Sequence, residues 1–116
     1  MAIDVLQTVE IIEQLENFVF RLRPDTEEVR KKLDYGYNIE NQSIILFEIR
    51  PDWKNSEVIR QSPFVKATFI KSSDTWKIYW RRANGKWYPY DPSPSVRSLK
   101  EVLEIVKDDK HHCFFG

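Results

Sequence analysis

A chain of 116 residues has room for one modest core that buries roughly two-thirds of the surface exposed on unfolding, so one domain spanning 1–116 is expected. Hydrophobic residues at 41%, charged residues at 31%, and only 3 Gly beside 6 Pro exclude collagen-like and flexible low-complexity chains. Eighteen basic and eighteen acidic side chains cancel, so no global field draws the molecule to nucleic acid, anionic membrane or acidic substrate, and an electrostatic function must reside in a local patch.

Val5, Val9, Ile12, Leu15, Val19 and Leu22 recur at helical spacing and predict an N-terminal helix with these residues inward. It should stop near Arg23, because Pro24 disfavours helical geometry in the residue before it. Asp25 to Lys31 is too charged to show a period and is left open as a helical turn or a connector. From Leu33 the period changes to two: Leu33, Tyr35, Tyr37 and Ile39 alternate with polar residues or Gly, as in a half-buried strand. A turn at Asn41 and Gln42 then leads into a second strand, Ser43 to Arg50.

Pro51 to Pro63 reads as a long excursion containing Trp53, with a possible helical turn from Ser56. Phe64 to Lys71 and Thr75 to Arg82 are the next strands, around Ser72-Ser73-Asp74. Asn84-Gly85 predicts a tight primed turn with Gly85 at positive φ, followed by a short fifth strand from Trp87 to Tyr90. Alternation places Trp76, Ile78 and Trp80 on one face, and all three are expected in the core. Asp91 to Ser95 is a stiff exit from the sheet. Ser98 and Glu101 form a capping-box pattern before Leu99, Val102, Leu103 and Val106, the stripe of a closing helix. The expected fold is α+β, a single domain with an antiparallel meander of about five strands between an N-terminal and a C-terminal helix. One cysteine cannot form an internal disulfide, and no basic segment with an apolar stretch opens the chain, so the expected compartment is the cytoplasm. The apolar run Ile44 to Phe47 is far short of the ~20 residues that span a bilayer, so no membrane role is expected.

The ordered motifs Asp34-Tyr35-Gly36-Tyr37, Gln42-Ser43, Phe47-Glu48-Ile49-Arg50-Pro51, Lys66-Ala67-Thr68, Trp80-Arg81-Arg82-Ala83, Lys86-Trp87 and Cys113-Phe114-Phe115-Gly116 resemble the domain of unknown function 3024 family, short and mostly bacterial proteins. The likeness runs from Asp34 to Gly116 and more loosely over the first helix. It implies membership but no mechanism.

Three groups of residues invite chemistry. His111, His112 and Cys113 carry metal-ligating and nucleophilic atoms, but three adjacent ligands do not readily surround a tetrahedral ion, and no further His or Cys completes the set. They are expected to be a surface pair of His and a partly buried Cys, pinned by Phe114 and Phe115, which dock the tail, with metal binding the weaker alternative. The stretch Trp76, Lys77, Tyr79, Trp80, Arg81, Arg82, Lys86, Trp87, Tyr88 and Tyr90 interleaves aromatic and basic residues, as surfaces for single-stranded nucleic acid do. Removing the core-facing members leaves a basic strip with one or two tyrosines. Glu48 and Arg50, with Asp34 and Asn38 on the neighbouring strand, read as a cross-strand ion-pair network rather than a catalytic pair.

No glycine-rich phosphate loop, nucleophile elbow or helical His pair is present in the sequence. The expected function is a non-catalytic binding or interaction module without a cofactor. Its partner is an unidentified protein or an anionic ligand, with single-stranded nucleic acid the alternative. Arg50, Trp53, Tyr79, Arg81, Arg82, Lys86 and Tyr88 are the expected contact residues, and the sequence leaves the oligomeric state open.

Overall fold

The computed structural model describes residues 4–115. Gly116, the end of the terminal motif, lies outside them. The element order is α1 (Val5–Leu22), α2 (Glu27–Arg30), β1 (Asp34–Glu40), β2 (Ser43–Pro51), β3 (Ile59–Ile70), β4 (Thr75–Arg81), β5 (Trp87–Pro89), β6 (Ser95–Val96) and α3 (Leu99–Asp108). The strands form one antiparallel sheet in the order β1-β2-β3-β4-β5, with β6 also pairing β4. The architecture is therefore α+β, an N-terminal helix, an antiparallel meander and a C-terminal helix. None of the described helices is long and apolar enough to cross a membrane.

Asp4 caps α1 by accepting the Gln7 N–H at 2.8 Å, and the helix ends at Arg23, before Pro24. The stripe facing the sheet is Ile11, Leu15 and Val19. This corrects the expected face in part: Leu15 and Val19 are inward as expected, but Ile11 replaces Ile12, and Val5, Val9 and Ile12 are 79, 57 and 39% exposed. Apolar residues at both 11 and 12 offer two possible seams, and packing selects the i, i+4 row through Leu15. The open segment resolves as α2, a single turn capped by Thr26. In α3 the expected stripe is the buried one: Leu99, Val102, Leu103 and Val106. Ser98 caps its start and Asp109, left-handed at φ 41°, ends it.

Register divides the sheet into two faces. Ile44 lies opposite Ala67, Leu46 opposite Val65, Ala67 opposite Ile78, and Phe69 opposite Trp76. These residues join the α1 and α3 stripes in one buried core. Their strand neighbours Ile45, Phe47, Lys66, Thr68, Lys77 and Tyr79 point to the opposite face. Trp80 shares the helix side but is only half-buried, short of its expected core position, because it lies near the sheet end under the Arg82 guanidinium. A bulge on β3 puts Leu46 opposite Val65 and Phe47 opposite Pro63, leaving Phe64 as the extra residue. That extra residue explains how consecutive Phe64 and Val65 are both buried.

The excursion from Pro51 to Pro63 is much shorter than expected: β3 begins at Ile59, and residues 52–58 alone form the loop. No helix forms from Ser56. Asp52 organises this loop, accepting the Lys54 and Asn55 N–H groups at 3.2 Å and the Arg60 Nε at 2.6 Å. The β4–β5 connection also differs from a two-residue primed turn. Arg82 N donates to Lys86 O, Gly85 N donates to Arg82 O, and only Gly85 of this loop has positive φ, at 79°. This is a three-residue loop with a glycine bulge, and the expected conformation of Gly85 holds.

Two hydrogen bonds from one side chain tie the end of α1 to the sheet edge. Arg23 donates Nε and Nη2 to the two Asp34 carboxylate oxygens at 2.7 and 2.9 Å, a bidentate fork joining the end of α1 to the start of β1. The fork, with the Tyr35 N–H, holds the Asp34 carboxyl below its ordinary range. Along β1, Gly36 leaves room for the Phe47 ring, since a Cβ there would sit 2.7 Å from Phe47 Cε1.

Because the Asp34 pKa is depressed on folding, its stabilisation is complete above the unfolded carboxyl value near pH 4 and fades as pH falls through the lower folded value. Asp34→Asn should cost about 1 kcal/mol at pH 7, the partly exposed fork being screened by solvent. The difference from the parent should shrink toward zero in urea melts taken below about pH 4. Gly36→Ala must displace the Phe47 ring and should cost roughly 1–2 kcal/mol. A smaller loss in a Phe47→Leu background, read from a double-mutant cycle, would tie that cost to this contact.

Candidate functional site

The uncovered face of the sheet carries the most concentrated set of cations and aromatic rings. Its geometry begins with antiparallel register: Lys66 lies opposite Tyr79, Tyr79 opposite Pro89, and Arg81 opposite Trp87, so all five share this face. The Lys66 ammonium sits 5.2 Å from the Tyr79 ring centre and 5.5 Å from the Trp87 ring centre. Placed over both rings, it is held by their negative π-faces. Lys77, opposite Thr68, adds a third cation, and among the described residues Lys66, Lys77 and Arg81 form no salt bridge. Toward β1 the same face becomes apolar through Ile45, Phe47 and Ile49. The Ser43 and Thr68 hydroxyls bond across the strands at 2.7 Å.

The expected contact residues do not all meet here. Tyr79 and Arg81 lie on the uncovered face. Arg82 and Tyr88 lie on the helix side, where the Arg82 guanidinium stacks 4.2 Å from the Tyr88 ring centre and 4.9 Å from that of Trp80. Lys86 is exposed in the β4–β5 loop, its N–H donating to Asn84 Oδ1, while Asn84 Nδ2 donates to the Tyr88 hydroxyl. Arg50 is bound to Glu48 on its own strand, Nε to Oε2 at 2.9 Å. Asp34 bonds Arg23 instead, so the expected four-residue network is reduced to a pair. Trp53, 87% exposed in the β2–β3 loop, carries the Lys54 ammonium 5.0 Å above its ring. Lys66 is not among the residues the sequence singles out for chemistry, and Trp87 belongs to the aromatic and basic stretch but not to the expected contact residues. Alternation of Lys66 against Val65 and Ala67 carried a signal for Lys66, but only register brings it to Tyr79 and Trp87.

The terminal cluster is organised by Asp109, whose carboxylate oxygens accept the Phe114 and Phe115 N–H groups at 3.1 and 2.9 Å. These bonds fold the tail back. Phe114 stacks on Tyr90 at 5.0 Å, and Phe115 meets Phe64 at 5.2 Å. Burial, with the Asp109 charge nearby, pushes the Cys113 thiol pKa up and keeps it protonated at neutral pH, which makes it a weak nucleophile. Its Sγ donates to the His111 carbonyl at 3.7 Å, and the His111 ring meets the edge of Tyr90. No group of three or more His, Cys, Asp or Glu among the described residues is placed to hold a metal ion.

The chain belongs to the family described as Domain of unknown function (DUF3024), whose model matches residues 3–116. No curated protein and no solved structure matches the chain.

Asp109→Ala removes the acceptor for two tail N–H groups, one of them buried, and should cost roughly 1–3 kcal/mol. Limited proteolysis should then cleave beyond residue 109 faster than in the parent, while Cys113→Ser leaves that rate nearly unchanged.

Proposed function

We propose that this member of the DUF3024 family is a non-catalytic binding module of the reducing cytoplasm, and that its uncovered sheet face takes single-stranded nucleic acid. The observation supporting this reading is the Lys66 ammonium over both Tyr79 and Trp87, on a face where Lys77 and Arg81 are free of salt bridges among the described residues. A flexible polyanion with planar bases suits such a surface: cations hold phosphates, and the rings stack on bases without needing a particular sequence. Zero net charge does not oppose this, because the field that matters within a Debye length is that of the local patch. The non-catalytic character accords with a protonated Cys113 thiol and with Glu48 already held by Arg50.

Fluorescence anisotropy with a labelled single-stranded oligonucleotide tests the reading. Affinity should fall on raising salt from about 50 to about 200 mM, with a log–log slope near −2 for three phosphate contacts. Trp87→Ala and Tyr79→Ala should each weaken binding by roughly 1–3 kcal/mol. Arg50→Ala, at the far end of the sheet, should leave it unchanged. Absence of saturable binding at low salt would overturn the nucleic-acid assignment.

A further inference from the structure

β1 ends the sheet, so one of its edges faces away from β2. It contains no Pro and no Lys, its register against β2 runs without a shift, and its two charged residues, Asp34 and Glu40, stand at its ends, so its middle lacks proline, charge and bulge protection. Alongside, α1 exposes Val9, Ile12 and Phe20 by 57, 39 and 74%, spacings that group them on one side of the helix. Its other flank, through Gln14, Phe18 and Arg21, borders α3. Between helix and strand runs a groove of about 550 Å³, lined by Glu16, Phe20, Arg23, Tyr35, Gly36 and Tyr37.

We propose that this edge and helix flank form a two-fold interface with a second copy of the chain, β1 pairing antiparallel with β1 of the copy and α1 lying beside its α1. Register supports it first. Opposed residues in paired strands share a face, so two identical strands pair only where both positions are odd or both even. Overlap of all seven residues puts Tyr37 on the axis. Tyr35 then faces Ile39 of the second copy, an aromatic against a β-branched residue, and Gly36 faces Asn38. Asp34 falls opposite Glu40, and the Arg23 fork already neutralises Asp34.

Layer spacing supports it independently. Strands lie about 4.8 Å apart and packed helices 8–10 Å apart, so each helix covers about two strands. α1 lies along β1, tied to it by Arg23, and α3 packs on β4, so the next place in the helix layer lies beyond β1. A two-fold copy extends the sheet and fills that place in one step, covering Val9, Ile12 and Phe20. Antiparallel α1 helices also bring Arg23, at the end of one helix on this same side, toward the half carrying Glu13 of the copy. Glu16 opposes the contact: it lies close enough to Tyr37 to act on its hydroxyl, so two copies of it meet near the axis.

Sedimentation velocity of the full chain, from low micromolar to several hundred micromolar, tests the proposal. A monomer–dimer equilibrium is expected. Phe20→Glu and Val9→Glu lie on exposed positions and should leave circular dichroism unchanged while raising the dimer dissociation constant by roughly tenfold or more, the loss of about one buried apolar side chain. Glu16→Gln should tighten the dimer. A parent monomeric over the whole range, or a dimer indifferent to Phe20→Glu, would overturn the interface. These variants leave Lys66, Tyr79 and Trp87 intact, so the outcome is independent of oligonucleotide binding.

Discussion

Leu15 of the first helix and Val102 and Val106 of the last are fully buried against Ile44, Leu46, Val65, Ala67 and Ile78 of the three central strands. This contact determines which way every strand residue points. Once one member of a strand is committed to the helices, its neighbours are committed to the other face, because side chains alternate with period two. Burying side chains of this size is worth roughly 1.5–3 kcal/mol each, far more than any exposed charge contact on the same sheet. The chemistry of the uncovered face is therefore a by-product of core packing: Lys66 and Tyr79 occur there because Val65, Ala67 and Ile78 do not.

Three carboxylates hold the chain where the core does not reach. Asp34 fastens the end of the first helix to the first strand, Asp52 closes the loop between the second and third strands, and Asp109 turns the tail back onto the sheet. Each accepts at least one backbone N–H, so each fixes local conformation while joining segments. The tail matters most for chemistry. By docking Phe114 and Phe115, it half-buries Cys113 and suppresses the thiolate that a nucleophile or a metal ligand requires.

Cation–ring contacts occur on both sides of the β4–β5 hairpin but in different settings. On the helix side, Arg82 lies over Trp80 and Tyr88 beside the core, and its stacking covers an incompletely buried tryptophan. On the other side, Lys66 over Tyr79 and Trp87 has no helix above it. The first arrangement is best explained by packing, whereas the second leaves charge and ring faces available to a ligand.

Local information in the sequence determined much of this molecule. The cap at Ser98, the stripe of the last helix, the stop before Pro24, the period-two runs and the positive φ of Gly85 each depend on residues within a few positions of one another, where propensity and capping chemistry act. Tertiary structure decided the rest. Which of two apolar seams on the first helix is buried, where the third strand begins, and which expected contact residues share a face all depend on residues far apart in sequence. Arg82 and Tyr88 separated from Tyr79 and Arg81 through side-chain alternation, and Lys66 joined Tyr79 and Trp87 through pairing across strands that no local pattern specifies. The physical reason is that sequence periodicity reveals that a segment has two faces, but only packing against distant partners determines which of them is covered.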